Sequence, residues 1–251
     1  MNAEKELWKS YRIYPLSEAV LIGSFVCLVI LSLTQFIYDY ALNAQKGEIK
    51  QGLLRTVAVI NTILDHDEHE SLTIGQETSK SYLRQIKPLE DAQEADKSIE
   101  YLYTAILKEE KVYFILDATP AGEDKAAIMQ EYLGAPAKLI QALTNNQPEV
   151  TDEPYVDAWG SHISAYVPFS NQQGEMIGVL GIDITADDYN TRLEPIRRAT
   201  TRTMVAGFFI SFFVGSIVWF MRNFGLKINL KRKELAEQVV RNSIHTRSDN
   251  E

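Results

Sequence analysis

Cysteine is nearly absent: among 251 residues only Cys27 carries a thiol, and histidine occurs four times. A single thiol excludes an intramolecular disulfide, so an exported domain in this chain must be held by its core alone, which a segment of this size can provide. Nucleophile-elbow, glycine-rich phosphate-loop, paired-cysteine zinc and kinase patterns are also missing, which argues against an enzyme and against a resident cofactor. Basic residues are outnumbered, 25 Lys and Arg against 34 Asp and Glu, for a formal charge of −9. The acids lie mostly in the middle of the chain, where little would neutralise phosphates, so nucleic acid is not expected as a partner.

Charge is missing altogether from two apolar runs, residues 19–38 and 203–221. Each has about the 20 residues that a helix needs to cross a bilayer. Cys27 sits mid-span as lipid- or helix-facing filler. Leu42-Asn43-Ala44 is a poor cleavage site, so the first run is expected to be an uncleaved anchor. Close after the second run come Arg222, Lys227, Lys231, Arg232 and Lys233 with a single nearby acid, Glu234. The positive-inside rule then puts both termini in the cytoplasm. Arg197, Arg198 and Arg202 point the other way, but they end a connection longer than the ~60 residues over which that rule is reliable. The expected organisation is a leader (1–18, with Trp8 and Tyr11 at the interface), a first span (19–38), an extracytoplasmic domain (39–202), a second span (203–221) and a cytoplasmic tail (222–251). Gly207, Ser211 and Gly215 put three small residues on one face of the second span, which predicts a parallel homodimer through that face.

Within the middle region, Ile49, Leu53, Ile60 and Leu64 mark a helix over 39–64. Asp65-His66-Asp67-Glu68-His69-Glu70 follows. His66 and Glu70, four apart, have the chemistry of zinc or nickel ligands, whereas a run so charged more commonly makes a solvated helix end. Residues 79–91 read as a surface helix, and 99–107 fit a strand or a helix equally. Residues 108–110 form a turn, and 111–118 a strand that places Tyr113, Ile115 and Asp117 on one face. A loop (119–124) and two helical pieces (125–132, 136–143) lead to a hairpin whose turn is 170–174. In its first strand Ile163, Ala165, Val167 and Phe169 face one way, and His162, Ser164 and Tyr166 the other. Its second strand is apolar except at Asp183, and a carboxylate there is costly unless something pairs with it. Thr185 and Asp188 cap a helix expected to run through Arg197 toward the second span, with Pro195 weakening its continuity. Leu226, Leu230, Leu235 and Val239 form a weak helical stripe in the tail, and 246–251 look disordered.

The combination of Asp157-Ala158-Trp159-Gly160, Ser164-Ala165-Tyr166-Val167-Pro168 and Gly178-Val179-Leu180-Gly181-Ile182-Asp183-Ile184 resembles the last strands of Cache domains, the extracytoplasmic PAS-like sensors of bacterial receptors. The resemblance implies an α+β fold: a PAS-like antiparallel sheet with a long N-terminal helix, here flanked by two transmembrane helices. It decides for a strand at 99–107. It also implies a small-molecule pocket between the sheet and the loops over it, of a few hundred Å³, with Tyr113, Asp117, Trp159, Ser164, Tyr166 and Asp183 as candidate contacts. Three of these have plainer alternatives: Trp159 as a cap on the core, Tyr166 as a partner for a loop, Asp183 as an acceptor for nearby backbone. The amino-acid-binding branch of the family also uses an arginine on the earlier strands, and 101–118 contain none. Carboxylates beside aromatic rings favour a cationic or amine ligand instead. The tail is too short for the kinase, cyclase or chemoreceptor output that follows such sensors. We therefore expect a membrane-anchored sensor that works through a separate signalling partner, or the sensor piece of a longer receptor. The rival from another class is a scaffolding membrane protein whose Cache-like domain holds no ligand.

Overall fold

The computed structural model describes residues 2–122 and 125–248, with side chains from 14 to 239 apart from that break. The side chains of Trp8 and Tyr11 and residues 249–251 lie outside the described residues. The chain divides into two compact units, residues 41–195 and residues 1–40 with 196–251.

The unit of residues 41–195 is built on a six-stranded antiparallel sheet: β1 (Tyr101–Lys108), β2 (Lys111–Asp117), β3 (Glu149–Val150), β4 (Tyr155–Val156), β5 (Ser161–Ser170) and β6 (Met176–Thr185). The order is β2-β1-β6-β5-β3, with β4 also paired to β5. This is the expected α+β, PAS-like arrangement. Strand alternation divides the side chains into two layers. Leu102, Leu180, Ile182, Ile163, Ala165 and Phe169 face α1 (Asn2–Asn61) and α3 (Lys80–Ala95), where they meet Ile49, Leu53, Val57 and Ile60 of α1 and Tyr82, Ile86 and Leu89 of α3. Each such buried aliphatic or aromatic side chain contributes about 1.5–3 kcal/mol, so this layer fixes the sheet. The opposite layer is covered by the segment after β2 and by α4 (Ala137–Asn145), which ends where Asn146 turns left-handed (φ 53°).

Three local readings are corrected. Residues 125–132 are not helical: the Phe114 and Tyr132 amides bond the Gln130 and Val112 carbonyls, so this stretch pairs with the free edge of β2. Its apolar spacing reflects side chains laid over the sheet. Second, the acid- and His-rich segment is not a freely solvated end. It forms a short helix, α2 (His66–Glu70), that pins the hairpin tip. His66 stacks on Phe169 at 4.7 Å, Asp67 accepts the Gln172 amide at 3.0 Å, and Glu70 accepts the Asn171 side chain at 3.2 Å. His69 is buried and its Nε2 meets Thr104 Oγ1 at 2.8 Å; burial pushes its imidazole down to about 3, with the charge of His66 adding to this. Third, β1 and β2 change register at Thr104/Ala105, so that Thr104 faces Leu116 and Ala105 faces Phe114. The extra residue, Ile115, makes a β-bulge. Thr104 Oγ1 accepts the Leu116 amide at 2.9 Å, supplying a partner at the irregularity.

In the other unit, α1 and α5 (Ala186–Ser248) each contain a segment long and apolar enough to cross a membrane. Thr246–Ser248, expected to be irregular, belong to α5. The small face of the second span, assigned from the sequence to a dimer interface, packs within the chain against the first span. A Cβ on Gly207 would lie 2.5 Å from Ile30, and one on Gly215 would lie 3.1 Å from the Ala19 carbonyl. Ser211 is buried, and its carbonyl would be 3.2 Å from a Cβ on Gly23. Small residues let two helices approach, and here the helices are the two spans of one chain. Arg222 clasps both oxygens of Glu18 beyond this contact, with Nη2 at 2.6 Å from Oε1.

Candidate functional site

Asp183 sits near the end of β6, opposite Ser164 of β5 and Tyr101 of β1. Strand alternation aims it away from the helix-backed layer, toward the segments that cover the sheet. It is 2% exposed, and among the described residues its Oδ1 has no hydrogen-bond partner. Burial pushes its carboxyl up to about 8. The Ser164 and Tyr103 hydroxyls hold it down in part, and the charges of Asp157 and Asp117 add to the rise. A bare carboxylate inside a protein costs several kcal/mol, so Asp183 is mostly protonated at neutral pH.

Around it stand aromatic rings. Phe114 and Tyr132 stack at 4.8 Å, and Trp159 meets each edge-on at 5.4 Å. Tyr103 lies edge-on to Phe114 at 5.2 Å, and its buried hydroxyl is one of the two that hold the Asp183 carboxyl down. These rings, with Tyr101, Ala126 and the carboxylates of Asp117, Asp157 and Asp183, enclose a cavity of about 20 Å³. That is room for about one water molecule. Among the described residues, no basic side chain lines it. The Tyr103, Tyr132, Tyr155 and Tyr166 hydroxyls are all pushed above their ordinary range, by burial first, so they stay protonated as donors.

The other two carboxylates are already engaged. Asp117 accepts the Thr119 amide (2.9 Å) and hydroxyl (2.6 Å) and the Ala126 amide (2.6 Å), which folds the segment after β2 over the sheet. Asp157 accepts the Trp159 and Gly160 amides at 2.9 and 3.1 Å and the Tyr132 hydroxyl, which sets Trp159 over the cavity. Gly160 has φ 140°, and a Cβ there would lie 3.2 Å from His162 Nε2. His162 itself is buried; neither ring nitrogen has a hydrogen-bond partner among the described residues, and Nε2 is 3.6 Å from Asp157.

Of the residues expected to line a pocket, Asp117, Trp159 and Asp183 meet at this cavity. Ser164 and Tyr166 stand behind it, at 2.9 and 3.4 Å from the Tyr155 hydroxyl. Tyr113 is elsewhere: the bulge at Ile115 turns it to the other layer, opposite Ile106, and gives its place to Phe114. The expected volume of a few hundred Å³ is corrected to a nearly closed cavity. Sequence reasoning missed Tyr101, Tyr103, Tyr132 and Asp157 as wall residues. Tyr101 and Tyr103 share a strand face and Asp157 opens the Asp-Ala-Trp-Gly step, so those three carried a signal; Tyr132 carried none.

No family model matches this chain, and no curated protein matches it either. Solved structures do. The ligand-binding domain of the Campylobacter jejuni chemoreceptor Tlp3, solved with L-valine, is 14% identical with a TM-score of 0.46, covering 69% of this chain and 66% of that one. The ligand-binding domain of Mlp24, solved with asparagine, is 17% identical with a TM-score of 0.40, covering 66% and 63%. An extracellular ligand binding receptor from Desulfohalobium retbaense is 15% identical with a TM-score of 0.40, covering 62% and 26%. The chain is similar to chemoreceptor sensory domains. It spans just under two thirds of the length of the Tlp3 domain.

Chemically the cavity is a low-dielectric box with one unsatisfied acid, three carboxylates in its wall and no cation among the described residues. It can accept hydrogen bonds and positive charge. Its partners for a ligand carboxylate are limited to neutral hydroxyls and amides.

Proposed function

We propose that the chain is a membrane-anchored extracytoplasmic sensor whose ligand is a small cationic amine, bound beneath Trp159 with its ammonium on Asp183. The observation that carries this is the buried, unpartnered Asp183 Oδ1 among aromatic rings, with no basic side chain among the described residues of the wall. A cation would convert that unfavourable burial into a charge-assisted hydrogen bond and would gain from the ring faces. An amino acid fits less well, because its carboxylate would find no arginine or lysine. Both termini are assigned to the cytoplasm, from the basic tail. The signal is assigned to the helices: the loop before β4, one two-residue strand ahead of the turn that carries Trp159, is tied to α1 by Lys46–Glu153 at 2.7 Å and by Lys50 on the Asp152 carbonyl. A motion of that loop therefore pulls on α1. A separate partner would read the change.

One observation favours a second reading. A cavity of about 20 Å³ is too small for any amine, as a ligand-free scaffold would have it. The sensor reading requires the partly exposed Trp159 to swing outward. Calorimetric titration of the full chain in nanodiscs separates the two. Alkylammonium salts are expected to bind and the matching alkylcarboxylates not. Binding of neither class leaves the scaffold, and binding of carboxylates alone contradicts the amine.

A further inference from the structure

Glu18 is the last residue before the first apolar run, and Arg222 is the first after the second. The ion pair between them therefore stands at the edge of the hydrocarbon, at the depth of lipid phosphates and amines. Beside it, between α1 and α5, lies a cavity of about 350 Å³ walled by Tyr14, Pro15, Glu18, Arg222, Gly225 and Asn229 among others. The pair still has capacity for a ligand. Arg222 gives Nε and Nη2 to the two Glu18 oxygens, with Nη2 at 2.6 Å from Oε1. A guanidinium has further N–H donors, and each carboxylate oxygen has a second lone pair. Both side chains remain reachable, 61% exposed at Arg222 and 39% at Glu18.

The two charges are of opposite sign and lie side by side. A purely anionic headgroup is attracted by Arg222 and repelled by Glu18, whereas a group with both signs a few bonds apart meets both. Guanidinium matches phosphate in charge and geometry, and carboxylate matches ammonium. Lys227, Lys231, Arg232 and Lys233 attract anionic lipid as a diffuse field, but none of them is in the cavity wall. We propose that this cavity holds the headgroup of a zwitterionic phospholipid, its phosphate on Arg222 and its ammonium on Glu18. This rests on the membrane anchoring proposed above and not on the amine.

The test uses the full chain in detergent, exchanged with equal amounts of phosphatidylethanolamine and phosphatidylglycerol of the same acyl chains. Washing in about 1 M salt screens charges beyond about 3 Å, which removes the pull of the tail and spares groups in contact. Mass spectrometry then counts the retained lipid. The parent is expected to keep the ethanolamine lipid about fivefold over the glycerol lipid, the factor that one charge near a lipid surface supplies. Glu18→Gln leaves Arg222 uncompensated and is expected to reverse the preference. Gly225→Leu keeps both charges and suits a helix, but its side chain enters the cavity, where a Cβ now meets nothing within 4 Å, so retention is expected to fall about fivefold. A parent without the preference, a Glu18→Gln variant that keeps it, or a Gly225→Leu variant that retains lipid like the parent overturns the proposal. A chain that stays soluble without detergent overturns the anchoring as well.

Discussion

Asp183→Asn is expected to make the domain more stable at alkaline pH while weakening amine binding about ten- to a hundredfold. The carboxyl titrates at about 8 in the folded chain against 3.8 as its ordinary value, chiefly because it is buried. The native state therefore holds a proton that the unfolded chain gives up between those values. Unfolding then becomes easier as pH rises through that window, and the loss is complete above the folded value. A carboxyl displaced this far loses, as an upper bound, on the order of 5 kcal/mol of stability once it ionises. Asparagine keeps the shape and carries no proton to lose, so the variant lacks this decline. Its melting temperature should exceed that of the parent at about pH 9 and approach it at about pH 5. Loss of one charge-assisted hydrogen bond, about 1.5–3 kcal/mol, accounts for the weaker binding. A residue that stabilises when removed yet is needed for binding serves a ligand. If the variant melts lower at both pH values, Asp183 is a structural acceptor.

Gly181→Ala is expected to abolish amine binding outright. Gly181 faces Tyr103 on one side and Tyr166 on the other, in the same layer as Asp183. A Cβ there would lie 2.9 Å from Tyr103 Cε2 and 3.0 Å from its Cζ, closer than packed atoms allow. The Tyr103 ring is 3% exposed and braced by Phe114 and Tyr132, so the free direction is into the cavity of about 20 Å³. One methyl group thereby fills the space that a ligand would have to enlarge. Overpacking of this kind costs about 1–3 kcal/mol, a drop in melting temperature short of unfolding. Calorimetry beside a thermal melt checks it: a folded variant that binds amines as the parent does places the ligand elsewhere.

How far the sequence reaches is seen best at Asp183 and Tyr113. A charge in an otherwise apolar strand breaks a period-two pattern, so Asp183 is visible without coordinates. The same alternation puts Tyr113 beside Asp117, and the rule fails there because one inserted residue, Ile115, reverses every assignment before it. Nothing local distinguishes a bulged strand from a straight one here, since the hydroxyl that supports the bulge, Thr104 on the Leu116 amide, comes from another strand. Residues 125–132 mislead for a related reason: apolar spacing cannot tell a helix from an extended segment laid over a sheet edge. The small residues of the second span mark a real close contact. Which helix fills it is a matter of tertiary structure, and Ala19, Gly23 and Ile30 of the same chain fill it.

An ammonium can pair with Asp183 only if the buried acid becomes a carboxylate, and the proton has to go somewhere. Calorimetry of dimethylammonium binding near pH 7, repeated in buffers of different ionisation enthalpy, counts it. With the carboxyl at about 8 in the free chain, close to one proton should be released per amine bound, and the release should vanish in Asp183→Asn. Binding with no proton released, or with a proton taken up, would contradict the assignment of the cation to Asp183.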